Sequence, residues 1–394
     1  MIARPPRPGR AELTAEAFAA ALVLIVALVL VRATPEPGPL DGLPDPPAGP
    51  GRVTAGPVTE TLPKTCGLSA ATVERLVRDP QMWKDGSLGA CEWSSGRDEK
   101  EDRFLSVELA PLNGRSVAPD PTALTPGRSP VSGAMTAFAP KWSDVPPKAV
   151  TGLGDEALLQ FSASAGATVV TRVGNTQVVV QYRDFESSFP EETARAAAFA
   201  AAAEIVTGLG ARPARPAIAP APRPTPARTI PDVCSSVSGG TLDRLMREED
   251  VGVSVGFPAS GGLPVEGAEG RGCTWLSSER ELQVSVSVLP GTDLIDGTRQ
   301  AVRQYEIRYL DAQAEETLSV HDRKRFLPVR DLGDQAFAAH VPGVVPATIV
   351  FRDGNVLAEI TYAESGEHEP LDGRLALRGA YAAAQDLAEA LSTD

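Results

Sequence analysis

Two stretches of strictly alternating apolar and polar residues organise this chain. Leu105, Val107 and Leu109 alternate with Ser106 and Glu108. Leu282, Val284, Val286 and Val288 alternate with Gln283, Ser285 and Ser287. A period of two puts the apolar side chains on one face of an extended segment, so each stretch predicts a half-buried strand. A helical pattern precedes each strand, "TVERLVR" at 72–78 and "TLDRLMR" at 241–247. The same series then follows twice: "GLGDEAL" at 152–158 against "DLGDQAF" at 331–337, "VGNTQVVVQY" at 173–182 against "DGNVLAEITY" at 353–362, and an Ala-rich helix at 192–208 against another at 374–391.

Five features in one order, at a spacing far longer than a solenoid repeat, indicate tandem duplication of a domain. Each copy is predicted to be α+β, an antiparallel sheet with helices packed on one face. The recurring Gly154-Asp155 and Gly333-Asp334 pairs are expected at turns before strands. The recurring Gly174-Asn175 and Gly354-Asn355 pairs are expected in hairpins, with Asp353-Gly354 suited to a type I′ turn. The copies differ between these landmarks. The second has a helical pattern from Gly297 to Ala314, where the first has a Pro-rich stretch from Val117 to Pro147.

A third pattern is the uncharged run "AFAAALVLIVALVLV" at 17–31, which with residues 13–16 spans about 28 Å as a helix. That is close to a hydrocarbon core of about 30 Å. Arg4, Arg7 and Arg10 precede the run, so the positive-inside rule predicts a cytoplasmic N-terminus at 1–12, a single transmembrane helix at 13–32 and an extracytoplasmic remainder. A cleaved signal peptide is the rival reading, with Val31-Arg32-Ala33 as the cleavage pattern. Residues 33–56 read as a Pro-rich stalk, 57–210 as the first domain, 211–230 as a Pro-rich polyproline II linker and 231–394 as the second domain.

Charge narrows the partners. The chain carries a net −14, concentrated in residues 231–394, where 27 acidic face 14 basic residues. Phosphate backbones require a basic patch, so nucleic acid is excluded as a partner. The membrane remains, together with an envelope ligand or a membrane-protein partner.

Cysteine usage bears on compartment and chemistry. Cys66, Cys91, Cys234 and Cys273 form one pair per copy, and each second cysteine opens Cys-x-Trp, with Trp93 and Trp275. In an exported chain such a set predicts disulfides, and the duplication selects Cys66–Cys91 and Cys234–Cys273 because each copy must close itself. The two tryptophans fall on the strand face of their cysteines and are expected in the core. There is no C-x-x-C, and the three histidines, His321, His340 and His368, lack ligand spacing, so no metal and no cofactor are expected.

One catalytic pattern matches: "GVSVG" at 252–256 fits G-x-S-x-G, with Ser254 as nucleophile. The mechanism needs a helix after the turn, and "FPASGGLP" cannot form one. The run "ESGEHEP" at 364–370 gathers Glu364, Glu367, His368 and Glu369, a weak cation site or a solvated loop. With no coherent catalytic set, the expectation is no enzyme. A binding or sensor-like envelope protein is favoured over a secreted hydrolase or a purely structural protein.

The order Cys, helix, Cys-x-Trp, alternating strand, Leu-Gly-Asp-x-Ala, Gly-Asn hairpin and terminal Ala-rich helix resembles actinobacterial extracytoplasmic domains of unknown function. Those domains occur on secreted lipoproteins and are similar to the sensor-type extracellular domains of mycobacterial serine/threonine kinases. The resemblance implies a cell-envelope location and ligand or partner binding, with no catalytic residues to carry over. This chain departs from it in having a membrane helix in place of a lipid-anchor cysteine, and in carrying two domains.

Overall fold

A computed structural model describes Leu40, residues 43–49, Val53 and 56–392, apart from 87–88, 96–102, 113–128, 142–143, 185–189, 226–227, 247–251, 257–267, 319–324, 342–344 and 365–370. The predicted anchor lies outside the described residues, and among those described no helix is long and apolar enough to cross a membrane. The chain divides into two units, Met1–Leu43 and Pro44–Asp394. In the first, Leu43 N–H donates to the Leu40 carbonyl at 3.2 Å. The second holds both predicted domains.

Among the described residues the first domain has one antiparallel sheet of eight strands: β1 (Pro80–Asp85), β2 (Ala90–Ser95), β3 (Arg103–Pro111), β4 (Lys148–Thr151), β5 (Glu156–Ser162), β6 (Gly166–Val173), β7 (Thr176–Asp184) and β8 (Ala217–Ile218). The order across the sheet is β1-β2-β3-β7-β6-β5-β4-β8. The second has seven: β9 (Gly252–Gly256), β10 (Glu269–Leu276), β11 (Arg280–Val288), β12 (Arg325–Val329), β13 (Gln335–Val341), β14 (Val345–Asp353) and β15 (Val356–Glu364). Their order is β12-β13-β14-β15-β11-β10-β9. Strand for strand, β9 to β15 repeat β1 to β7, with β11 and β15 paired as β3 and β7 are.

Helices occupy the predicted places, with two additions, α2 and α4. In the first domain α1 is Ala70–Leu76, α2 Pro130–Ala137 and α3 Glu191–Gly208; in the second α4 is Val233–Ser236, α5 Gly239–Met246, α6 Gly297–Leu318 and α7 Gly373–Ser392. Ser69 caps α1 by accepting the Thr72 N–H. The buried face of sheet one, with Leu105, Val107, Val180 and Tyr182, forms one core with the alanines of α3. Small alanines let a helix lie close to a sheet, and α7 covers β13 to β15 in the same way.

The expectation of helices on one face fails. Tyr305 and Tyr309 of α6 meet Phe337 and Phe326 on the opposite face of sheet two, with ring centroids 4.9–5.6 Å apart. Another side of α6 carries Ile307 and Leu310, which cluster with Val131 and Met135 of α2. Arg303 also reaches Glu156 on β5 at 2.7 Å. The helix thus lies between the two sheets, engaged on both sides. Helix α2 itself falls in the stretch read as a Pro-rich loop: Pro130 sits at the first helical position, where a missing N–H costs nothing. The segments in which the copies differ therefore meet each other.

Described parts of the stalk and the linker also pair with the sheets. Ala48 forms a bridge to Val329 of β12, Gly49 N–H donates to the Pro328 carbonyl at 2.8 Å, and Arg330 N–H donates to the Pro47 carbonyl at 3.1 Å. In the linker, Ala217-Ile218 is β8 and pairs with β4. Alternating proline favours extended backbone. Extended backbone with free donors and acceptors is also what an open sheet edge accepts.

Candidate functional site

The repeated glycines, aspartates and asparagines form one structural unit, built twice. Each hairpin turns on Gly174-Asn175 or Gly354-Asn355, since Val173 pairs with Thr176 and Asp353 with Val356. Gly174 has φ +55° and Gly354 φ +58°, while neither asparagine is left-handed. Positive φ at the first position alone is the type II′ pattern, so the predicted Asp353-Gly354 type I′ turn is corrected by one residue and one type. Asp155 Oδ2 accepts the Gly174 N–H at 2.8 Å, and Asp334 Oδ2 accepts the Gly354 N–H at 3.0 Å. Gly154 (φ +63°) and Gly333 (φ +53°) bring each aspartate there; a Cβ on either would lie 2.5 or 2.4 Å from a strand carbonyl.

Each buckle closes on an arginine the pattern reading missed. Buried Arg172 donates to Asp155 (3.0 Å), Glu156 (3.0 Å) and the Gly174 carbonyl (2.8 Å). Arg352 donates to Asp334 (2.8 Å), Gln335 (3.0 Å) and the Gly354 carbonyl (2.8 Å). The signal was present as Arg-x-Gly-Asn in "TRVGN" and "FRDGN". Asn175 Nδ2 donates to the Leu112 carbonyl and Asn355 Nδ2 to the Leu289 carbonyl. The shared tyrosines, Tyr182 and Tyr362, donate to the Leu76 and Leu245 carbonyls at the ends of α1 and α5. These residues shape the scaffold.

The cysteines pair as predicted: Cys66–Cys91 with Cα atoms 6.1 Å apart, and Cys234–Cys273 at 5.2 Å. Trp93 and Trp275 are buried, opposite Leu105 and Leu282 of the neighbouring strand. Ser254 lies inside β9, opposite Thr274, rather than at a strand-to-helix elbow. Of the histidines, His321 and His368 fall outside the described residues. His340 is buried on β13, with four strands between it and β9, or about 24 Å at the usual strand spacing. Glu364 is tied to Arg280 at 3.0 Å, while Glu367, His368 and Glu369 lie outside the described residues. No group of three or more His, Cys, Asp or Glu among the described residues is placed to hold a metal ion.

A cleft does form where the linker crosses the second domain. Its volume is about 690 Å³. Pro222, Arg223 and Pro224 make one wall, Val288, Pro290 and Asp293 the other. The linker is pinned at two points. Gly297, the first residue of α6, donates its N–H to Thr225 Oγ1 at 2.5 Å, and Arg228 pairs with Asp353 at 3.3 Å. Gly291 and Gly297 permit the approach, because a Cβ on either would lie within 2.8 Å of Thr225 or the Leu289 carbonyl. Arg223, Glu269 and Asp293 line the cleft and take part in no ion pair among the described residues. Proline and valine faces supply apolar contact, and charges of both signs supply orientation. Its volume is that of a small-molecule or peptide site.

Comparison with protein-family models, with curated proteins and with solved structures finds no match in any of the three.

Proposed function

We propose that the chain is a membrane-anchored, extracytoplasmic binding protein of the cell envelope, sensor-like in having no catalytic centre of its own. The observation that supports this most is the cleft of about 690 Å³ beneath the proline-rich linker. Two disulfides fit an oxidising compartment. The apolar run at 17–31 fits an anchor ahead of them. In this proposal the duplicated sheets are scaffold, and the ligand or partner is held by the mixed charges of Arg223, Glu269 and Asp293.

Photo-crosslinking in intact cells tests the proposal. A benzophenone residue at Thr292, in the cleft, should capture a defined adduct that the same residue at Glu389, on α7, does not. Identical adduct patterns from the two positions would reject the cleft as the site. The rival hydrolase is tested by a fluorophosphonate probe: labelling abolished by Ser254→Ala would establish it, and labelling absent or unchanged in that variant would dismiss it.

A further inference from the structure

The outer edges of β4 and β12 occupy equivalent places in the two sheets, and each is covered by a proline-flanked segment of this chain. The two covers differ in kind. Strand β8 is held on β4 by backbone pairing, and the Thr151 hydroxyl donates to the Ala217 carbonyl. Residues 44–49 on β12 are held by backbone bonds and also by a charge-reading pair. Arg374 Nε lies 2.9 and 3.1 Å from the two Asp45 carboxylate oxygens, its Nη2 also reaches Oδ2, and Arg378 Nε lies 2.7 Å from Oδ1. The two arginines are one helical turn apart on α7, so both face the same groove. They hold the Asp45 carboxyl well below the usual carboxylate range.

Three features make this a specific seat. The carboxylate is read by two planar donors, a geometry that selects carboxylate over neutral groups. Three residues on, Ala48 enters the β ladder beside Val329. Next to it Gly49 passes so close that a Cβ would lie 2.7 Å from the Val329 carbonyl carbon. The seat therefore reads an acidic residue, prolines that keep the chain extended, and a small residue at the sheet edge. Its occupant belongs to the N-terminal segment leading into the first domain, and both Asp45 and Arg374 are still about half exposed to water. Such a cover can be exchanged for another segment of the same chemistry.

We propose that the β12 edge, with Arg374 and Arg378, is a docking groove for an extended, acidic, proline-flanked segment of a partner protein, closed in the free chain by its own residues 44–49. The groove is distinct from the linker cleft and does not rest on it.

The test uses the full chain and a fluorescein-labelled peptide, Pro-Asp-Pro-Pro-Ala-Gly, corresponding to residues 44–49. Asp45→Arg together with Gly49→Val expels the internal segment and leaves the groove intact. Anisotropy should show saturable binding to this variant, at least tenfold tighter than to the unaltered chain. Replacing the peptide's aspartate by asparagine, or adding Arg374→Ala and Arg378→Ala to the host, should weaken binding at least tenfold. If the double variant fails to fold by circular dichroism, Asp45→Arg alone is the host and the same ratios apply. Absence of binding at millimolar peptide overturns the proposal, as does binding indifferent to the aspartate or to the two arginines.

Discussion

Replacing Arg352 by methionine tests the hairpin buckle most sharply. Methionine keeps the packing of the aliphatic stem and removes the guanidinium. Three hydrogen bonds are lost, to Asp334, Gln335 and the Gly354 carbonyl. Bonds to a charged group contribute about 1.5–3 kcal/mol each in favourable settings. Here Asp334 is half exposed and recovers water when its partner leaves, so that bond counts for little. The loss is then set by the bonds from Nε to Gln335 and from Nη1 to the Gly354 carbonyl, and amounts to about 3 kcal/mol. Asp334→Asn should cost less than about 1 kcal/mol, because the carboxylate is the exposed partner. Arg172→Met should cost more, about 4 kcal/mol, because it removes the cation paired with both Asp155 and Glu156 and favouring the Glu306 carboxylate. Urea unfolding at pH 7 measures all three, read as a change in midpoint at constant slope. An Arg352→Met loss below 1 kcal/mol, or an Asp334→Asn loss as large as that of Arg352→Met, refutes the idea that the arginine is the keystone.

Replacing each cysteine pair by serine should destabilise the chain by about 3.5 kcal/mol for Cys66–Cys91 and about 3.9 kcal/mol for Cys234–Cys273, from closed loops with separations of 25 and 39 residues; reduction of the native protein should raise its intact mass by four hydrogens. Burial raises the Glu306 carboxyl above its ordinary 4.5, with Asp155 and Glu156 opposing ionisation and Arg172 and Arg303 favouring it. A raised carboxyl keeps its proton longer in the folded state, so stability present in acid is lost as pH rises from about 4.5 through the folded value. Glu306→Gln should therefore be more stable than the native protein at pH 7, with the gap closing towards pH 4 in urea titrations.

Sequence legibility followed locality. The strands at 105–109 and 282–288, the helices at both ends of each copy and the disulfide pairing were legible because each rests on a local period or on the duplication. The II′ turn was misplaced by one residue because Asp353-Gly354 and Gly354-Asn355 are both good turn pairs. Strand register, a non-local property, decides between them. Arg172 and Arg352 were missed because arginine on a strand usually reads as surface. Both are buried, and each acts electrostatically on a residue of α6, Arg352 on Tyr305 and Arg172 on Glu306. The linker cleft could not be read from composition: alternating proline specifies an extended chain, while its docking depends on Gly291 and Gly297, 60 or more residues further on. Helix α6 was legible as a helical pattern peculiar to the second copy, and the fold is needed to show that one side of it meets sheet two and another meets α2.

The segments in which the copies differ weld the two duplicated domains together. Val131, Met135, Ile307 and Leu310 form the apolar part of the joint. Ser129 N–H to Asp311 at 3.0 Å, the Ser132 hydroxyl to Asp311 and Arg303 to Glu156 form the polar part. Differential scanning calorimetry of the full chain in detergent, beside Leu310→Asp, addresses this directly. One cooperative transition for the native chain, with calorimetric and van't Hoff enthalpies equal, and two separated transitions for Leu310→Asp are predicted. Two independent transitions in the native chain, or a single unchanged transition in the variant, would contradict the weld.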